Sequence, residues 1–166
     1  MFVVRGTKKL LDRAGKVDPL DERVSTTVLG DWYATVWFWK PQVALFVDEQ
    51  TLLPVLLPMA PAATVVGRFV LGLPEVFRDY GLDPRFVEAE LAEMREHRLD
   101  KTASRSVLGV MNEFKHLADH QLRHGDDIEL MELARWLAQV PCGPLFKSHV
   151  SPDRELRVVA AQHLPA

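Results

Sequence analysis

The polar residues with the best-defined spacing fall between residues 101 and 112. Arg105 and Asn112 are seven positions apart, nearly two helical turns, so a helix through them presents both on one face. Lys101 and Ser104 arrive just ahead and Ser106 follows, where the free amides of a helix start favour an anion. Together these five residues could hold a phosphate or a carboxylate. A structural reading competes and carries more weight, because polar residues at a helix start usually do capping work. In it Ser104 caps the helix, Arg105 pairs with a carboxylate such as Asp31 or Asp100, and Asn112 tethers a loop.

Three further groups invite a chemical reading. His116, His120 and His124 follow at i, i+4 and i+8 with Glu113 on the same side, enough for a metal to take two imidazoles and a carboxylate from one helix. That stripe lies opposite the expected core face, and the chain has no HExxH and no second His or Cys pair at ligand spacing, so a solvated helix face is the better reading. Cys142 and His149 could form a thiolate nucleophile if their side chains met. The rigid setting Pro-Cys-Gly-Pro and the lack of an evident orienting residue favour a structural thiol instead. Trp32, Trp37 and Trp39 could stack bases as an aromatic sheet platform, but without an RNP-like basic pattern core packing is favoured.

The elements that must position these residues centre on Leu29 to Pro58. Asp31 to Trp39 sets Trp32, Ala34, Val36 and Phe38 on one face and Tyr33, Thr35, Trp37 and Trp39 on the other, the period of two that a strand requires. Both faces are apolar, which predicts a central strand. Gln42 to Val47 and Leu52 to Leu57 complete a meander, and Pro54, which lacks an amide, makes the third strand an edge or a bulged strand. Met1 to Arg5 should join this sheet, followed by a short helix from Lys8 to Ala14 with Thr7 as cap. Arg98 to Thr102 supplies a further short strand.

Helical spacing accounts for most of the rest. Pro61 to Tyr80 reads as two pieces divided at Pro74, and Pro84 to His97 as one helix capped by Asp83. Arg105 to His124 is the longest helix, stopped by Gly125, and Gly109 inside it implies close approach of the Trp-rich strand. Asp126 and Glu129 resemble a capping box for the next helix, and Ser151-Pro152 opens a last one. The fold class is therefore α+β: a small antiparallel meander early in the chain, packed against four or five helices.

Length and composition narrow the function. A chain of 166 residues without an internal repeat is expected to be one domain over 1–166. No apolar run is long enough to span a membrane, the N-terminus does not read as a signal peptide, and the single cysteine suits a reducing compartment, so the cytoplasm is expected. A net charge of −3 gives no global attraction for a polyanion and disfavours duplex nucleic acid, while leaving room for a local basic patch.

Four segments, GTKKLL from Gly6, LGDWY from Leu29, TLLPV from Thr51 and RSVLGVMNE from Arg105, resemble an uncharacterised bacterial domain family of unknown function over most of the chain. The resemblance implies no activity, cofactor or catalytic residue. With no evident nucleophile, base or metal constellation, the expectation is a non-catalytic interaction or regulatory module with a protein partner and no cofactor. The alternative is an enzyme or binder of an anionic small molecule or nucleotide at Lys101–Asn112, with an RNA-associated protein as a weaker third.

Overall fold

Trp32–Trp37 (β2) is the middle strand of a five-stranded sheet, and all six of its residues are buried. In the computed structural model, which describes residues 1–123 and 129–166, the other strands are Phe2–Gly6 (β1), Val43–Asp48 (β3), Pro54–Pro58 (β4) and His97–Lys101 (β5). Their order is β4-β3-β2-β1-β5. The meander is present: β2 and β3 pair antiparallel with Trp32 opposite Asp48, and β3 and β4 do the same with Val43 opposite Pro58. β4 lies at the edge, where a strand beginning and ending in proline gives up amides that no neighbour needs.

The sheet is mixed rather than purely antiparallel. β1 runs parallel both to β2, with Val4 opposite Trp32, and to β5, with Phe2 opposite His97. Parallel neighbours need a crossover of a dozen or more residues, and the chain supplies one between β1 and β2 through the helix Lys8–Ala14 (α1) and the long stretch after it.

Helices cover both faces. Phe2, Val4, Trp32, Ala34, Val36 and Phe46 face α1 and the helices Val65–Asp79 (α2), Pro84–Ala92 (α3) and Pro152–Gln162 (α6). Phe69 of α2 anchors this side: Phe46 stacks on it at 4.0 Å and 6°, and Trp32 meets it edge-on at 4.9 Å. On the opposite face Tyr33, Trp37, Val43, Leu45, Val47 and Leu56 pack against Arg105–Arg123 (α4) and Leu130–Leu137 (α5). Six α-helices are thus found among the described residues, where four or five were expected. The short α1 and α6 bury Leu10 and Leu156 completely and belong to the core cover.

Local expectations fail where distant packing overrides them. Pro74 does not divide α2; the helix runs through it with Phe69, Leu73 and Phe77 buried on either side, which offsets one lost amide bond. α3 stops at Ala92 instead of His97 because His97 onward pairs with β1. Asp83 caps α3 as expected, accepting from the Arg85 amide. Thr7 precedes α1 without capping it, its hydroxyl meeting Thr35 Oγ1 at 3.0 Å. Phe38 and Trp39 lie beyond the end of β2. Gly125 and Asp126 lie outside the described residues; Glu129 caps α5 by accepting from the Met131 and Glu132 amides. Among the described residues, no helix is long and apolar enough to cross a membrane.

Candidate functional site

Toward β1 and β5 the face that α4 and α5 cover elsewhere turns ionic. Arg5 lies beside Asp100 in the parallel register and projects on the side opposite Val4, while Asp31 immediately precedes β2. Arg5 donates from Nε to Asp31 Oδ2 at 2.6 Å and from Nη1 to the Lys101 carbonyl at 3.0 Å, with Asp100 Oδ2 3.6 Å away. Ser25 donates to the other Asp31 oxygen at 2.6 Å. Arg98 donates to Asp100 at 2.8 Å and to the Arg23 carbonyl at 2.6 Å. Burial alone would lower the Arg5 pKa, but the Asp31 carboxylate outweighs it and holds the guanidinium above its ordinary value. The Arg98 hydrogen bond holds Asp100 below the usual carboxylate range.

Glu49 locks the entry to this cluster. Its Oε1 accepts from the Asp31 amide at 2.9 Å, and its own amide donates to the Asp31 carbonyl at 3.0 Å. Gly30 makes the approach workable: its φ is +75°, and a Cβ there would lie 2.3 Å from Glu49 Oε1. Burial pushes the Glu49 carboxyl up.

At the start of α4, Ser104 does the capping work expected of it: its hydroxyl accepts from the Val107 amide at 3.2 Å, and its own amide donates to the Tyr33 hydroxyl at 3.1 Å. The expected strut is another arginine. Arg105 pairs with neither Asp31 nor Asp100, because Arg5 and Arg98 already hold both carboxylates. Among the described residues the exposed side chains of Lys101, Arg105, Ser106 and Asn112 have no hydrogen-bond or ion-pair partner, so Asn112 tethers no loop. Gly109 is exposed on the side shared by Arg105 and Asn112, and an added Cβ would find nothing within 4 Å. The expected approach of the Trp-rich strand does not occur.

Glu113, His116 and His120 are exposed further along α4, and His124 lies outside the described residues. No group of three or more His, Cys, Asp or Glu side chains placed to hold a metal is found among the described residues. Cys142 and His149 do not form a pair. The Cys142 thiol is buried and donates to the Val140 carbonyl at 3.4 Å, and burial, with the charge of Glu113, pushes it up to about 12.

His149 belongs to a different cluster, one that its spacing from Cys142 did not suggest. The Ser148 hydroxyl, the His149 amide and His149 Nδ1 all converge on Glu155 Oε2, at 2.6, 3.2 and 2.9 Å. Burial would raise Glu155, but these hydrogen bonds outweigh it and hold the carboxyl below its usual range. Ser148 is also 3.0 Å from Nδ1, so serine and carboxylate crowd the same ring nitrogen. In a hydrolytic relay they would flank opposite nitrogens. The cluster clasps a turn in which Val150 is held at φ +72°, an unusual conformation for a β-branched residue. Trp32 and Trp37 are buried, and the half-buried Trp39 tilts against Trp37 and donates from Nε1 to Asp119 at 2.8 Å, so the three rings serve packing.

A mixed sheet between two helical layers, with an ionic end and a helix stripe beside it that is unpartnered among the described residues, defines an α+β protein. Residues 3–155 match the family described as a domain of unknown function (DUF6933), and the chain belongs to that family. No curated protein and no solved structure matches it.

Proposed function

We propose that this protein is a non-catalytic interaction module whose docking face is the outer stripe of α4 from Arg105 through Gly109 to Asn112. One observation carries the reading: the stripe is uncommitted among the described residues. Arg105 and Asn112 lack partners among the described residues, and Gly109 between them costs about 1 kcal/mol relative to alanine with no internal packing to require it. A glycine at such a position lets a partner's backbone come close, while Lys101 and Arg105 favour a partner that presents a carboxylate there.

A photo-crosslinking residue placed at Asn112 should give a discrete protein adduct in lysate from the source cells, and Arg105→Glu should abolish it. Equal labelling from a control position such as Glu88, exposed on α3, would overturn the reading. The free Arg105 and Lys101 also favour a second reading, an anionic small molecule at the same helix start. Calorimetric titration with a phosphate-bearing panel separates the two, since only the second predicts saturable binding that Arg105→Ala removes.

A further inference from the structure

Phe38 lies just past the end of β2 and is 55% exposed, although the strand before it is wholly buried. Its ring is flanked by cations: Lys9 Nζ is 5.5 Å and the Arg13 guanidinium 5.3 Å from the centroid. These two residues are one turn apart on α1, and Arg13 also donates to Gln42 across the β2–β3 connection. Lys8 and Lys40, next to Lys9 and two residues past Phe38 in the chain, are exposed, with the Lys8 side chain at 94%. Asp12 is the acidic residue within α1, and it lies 3.9 Å from Lys8 on the open surface. The chain as a whole carries −3, so this cationic edge is a local feature set against an acidic remainder.

From this juxtaposition of an exposed aromatic ring with Lys9 and Arg13, and with the exposed Lys8 and Lys40 adjoining in the chain, we infer that the α1–Phe38 edge binds single-stranded nucleic acid. Every base has a π-face that can take the place of Lys9 or Arg13 over the Phe38 ring, which frees those cations, with Lys40, to meet the flanking phosphates. A duplex keeps its bases stacked inside and cannot use the ring, so strandedness is the discriminating property. The edge is separate from the α4 stripe, and the inference stands or falls independently of it.

Fluorescence anisotropy with labelled oligouridylate and oligothymidylate of about 12 nucleotides, within the usual site size, tests the inference against a duplex of equal length and poly-glutamate. Single strands should bind more tightly than duplex or poly-glutamate. Phe38→Ala should lose about tenfold or more in affinity, the range for removing one stacked base, and Phe38→Trp should restore it. Replacing Lys9 and Arg13 by alanine should reduce the slope of log K against log salt by about 1.4 between about 50 and 200 mM. Circular dichroism checks that each variant is folded. No binding to either oligomer at the lowest salt would overturn the inference. So would binding that is unchanged in Phe38→Ala and matched by duplex or poly-glutamate, because the edge would then attract any polyanion.

Discussion

Two arginines one helix start apart have opposite fates. Arg5 spends its donors on Asp31 and the Lys101 carbonyl within the chain, and Asp31 in turn is held by Ser25. Arg105, at the start of α4, pairs with none of these carboxylates and is exposed. The difference lies in supply: Asp31 and Asp100 are already held by Arg5 and Arg98, and among the described residues Arg105 has no carboxylate partner. Residue type alone says little about function here. Whether the hydrogen-bonding capacity is already used says more.

The largest expected effect falls on the committed side. Arg5→Ala strands the partly buried Asp31 carboxylate and should lower stability by about 3 kcal/mol, the low end for breaking a buried pair, as read by urea unfolding. A double-mutant cycle with Asp31→Ala should recover part of the loss. If Arg5→Ala proved as mild as an ordinary surface change, the contrast between the two arginines would be gone.

Asp48 sharpens the contrast as a polar group buried with incomplete partners. Oδ2 accepts from the amide and hydroxyl of Thr51, while Oδ1 is buried with no partner. Burial raises its folded pKa well above the ordinary value. For an acid raised in this way, the wild type should lose stability as pH rises above the unfolded value of about 3.9 and toward the folded one. Asp48→Asn cannot ionise and should flatten that dependence, gaining about 1–2 kcal/mol near pH 7, the scale set by an unsatisfied buried polar group. A melting series from pH 4 to 8 in which wild type and variant stay parallel would count against it.

Smaller effects belong to the α4 stripe. Gly109→Ala should raise stability by about 1 kcal/mol, since helix propensity improves and the new methyl meets open space. A destabilised variant would mean that the glycine serves the fold after all. Arg105→Ala should move the melting curve least, by no more than about 0.5 kcal/mol. A loss several times larger would return Arg105 to the role of strut.

Much of the fold is legible in local pattern. The alternation through Trp32 to Trp37 marks a strand buried on both faces, Pro54 marks the edge strand, and the 100° spacing of Val107, Met111, Phe114 and Ala118 marks the inward side of α4, although Leu122 at the same spacing is 45% exposed. The candidate site is less legible. Arg5 and Asp31 are 26 residues apart, and the Ser148–His149–Glu155 clasp spans a turn and a helix, so no spacing rule joins either set. The one hint was Gly30 before Asp31, a glycine whose left-handed conformation permits the Glu49 contact.

What the sequence determined by itself is what neighbouring residues dictate to one another: the strand period of β2, the inward stripes of α4 and α5, and the caps at Asp83 and Ser104. Those depend on dihedral preferences and hydrogen bonds within a few residues. Only the tertiary structure decided that β1 lies parallel between β2 and β5, that Pro74 stays inside a continuous helix, and that Arg5 takes Asp31 while Arg105 stays free. Each of these is a choice among distant partners of similar local merit. It is settled by which groups the packed sheet and helices bring within hydrogen-bond reach, and by the cost of burying any polar group left over.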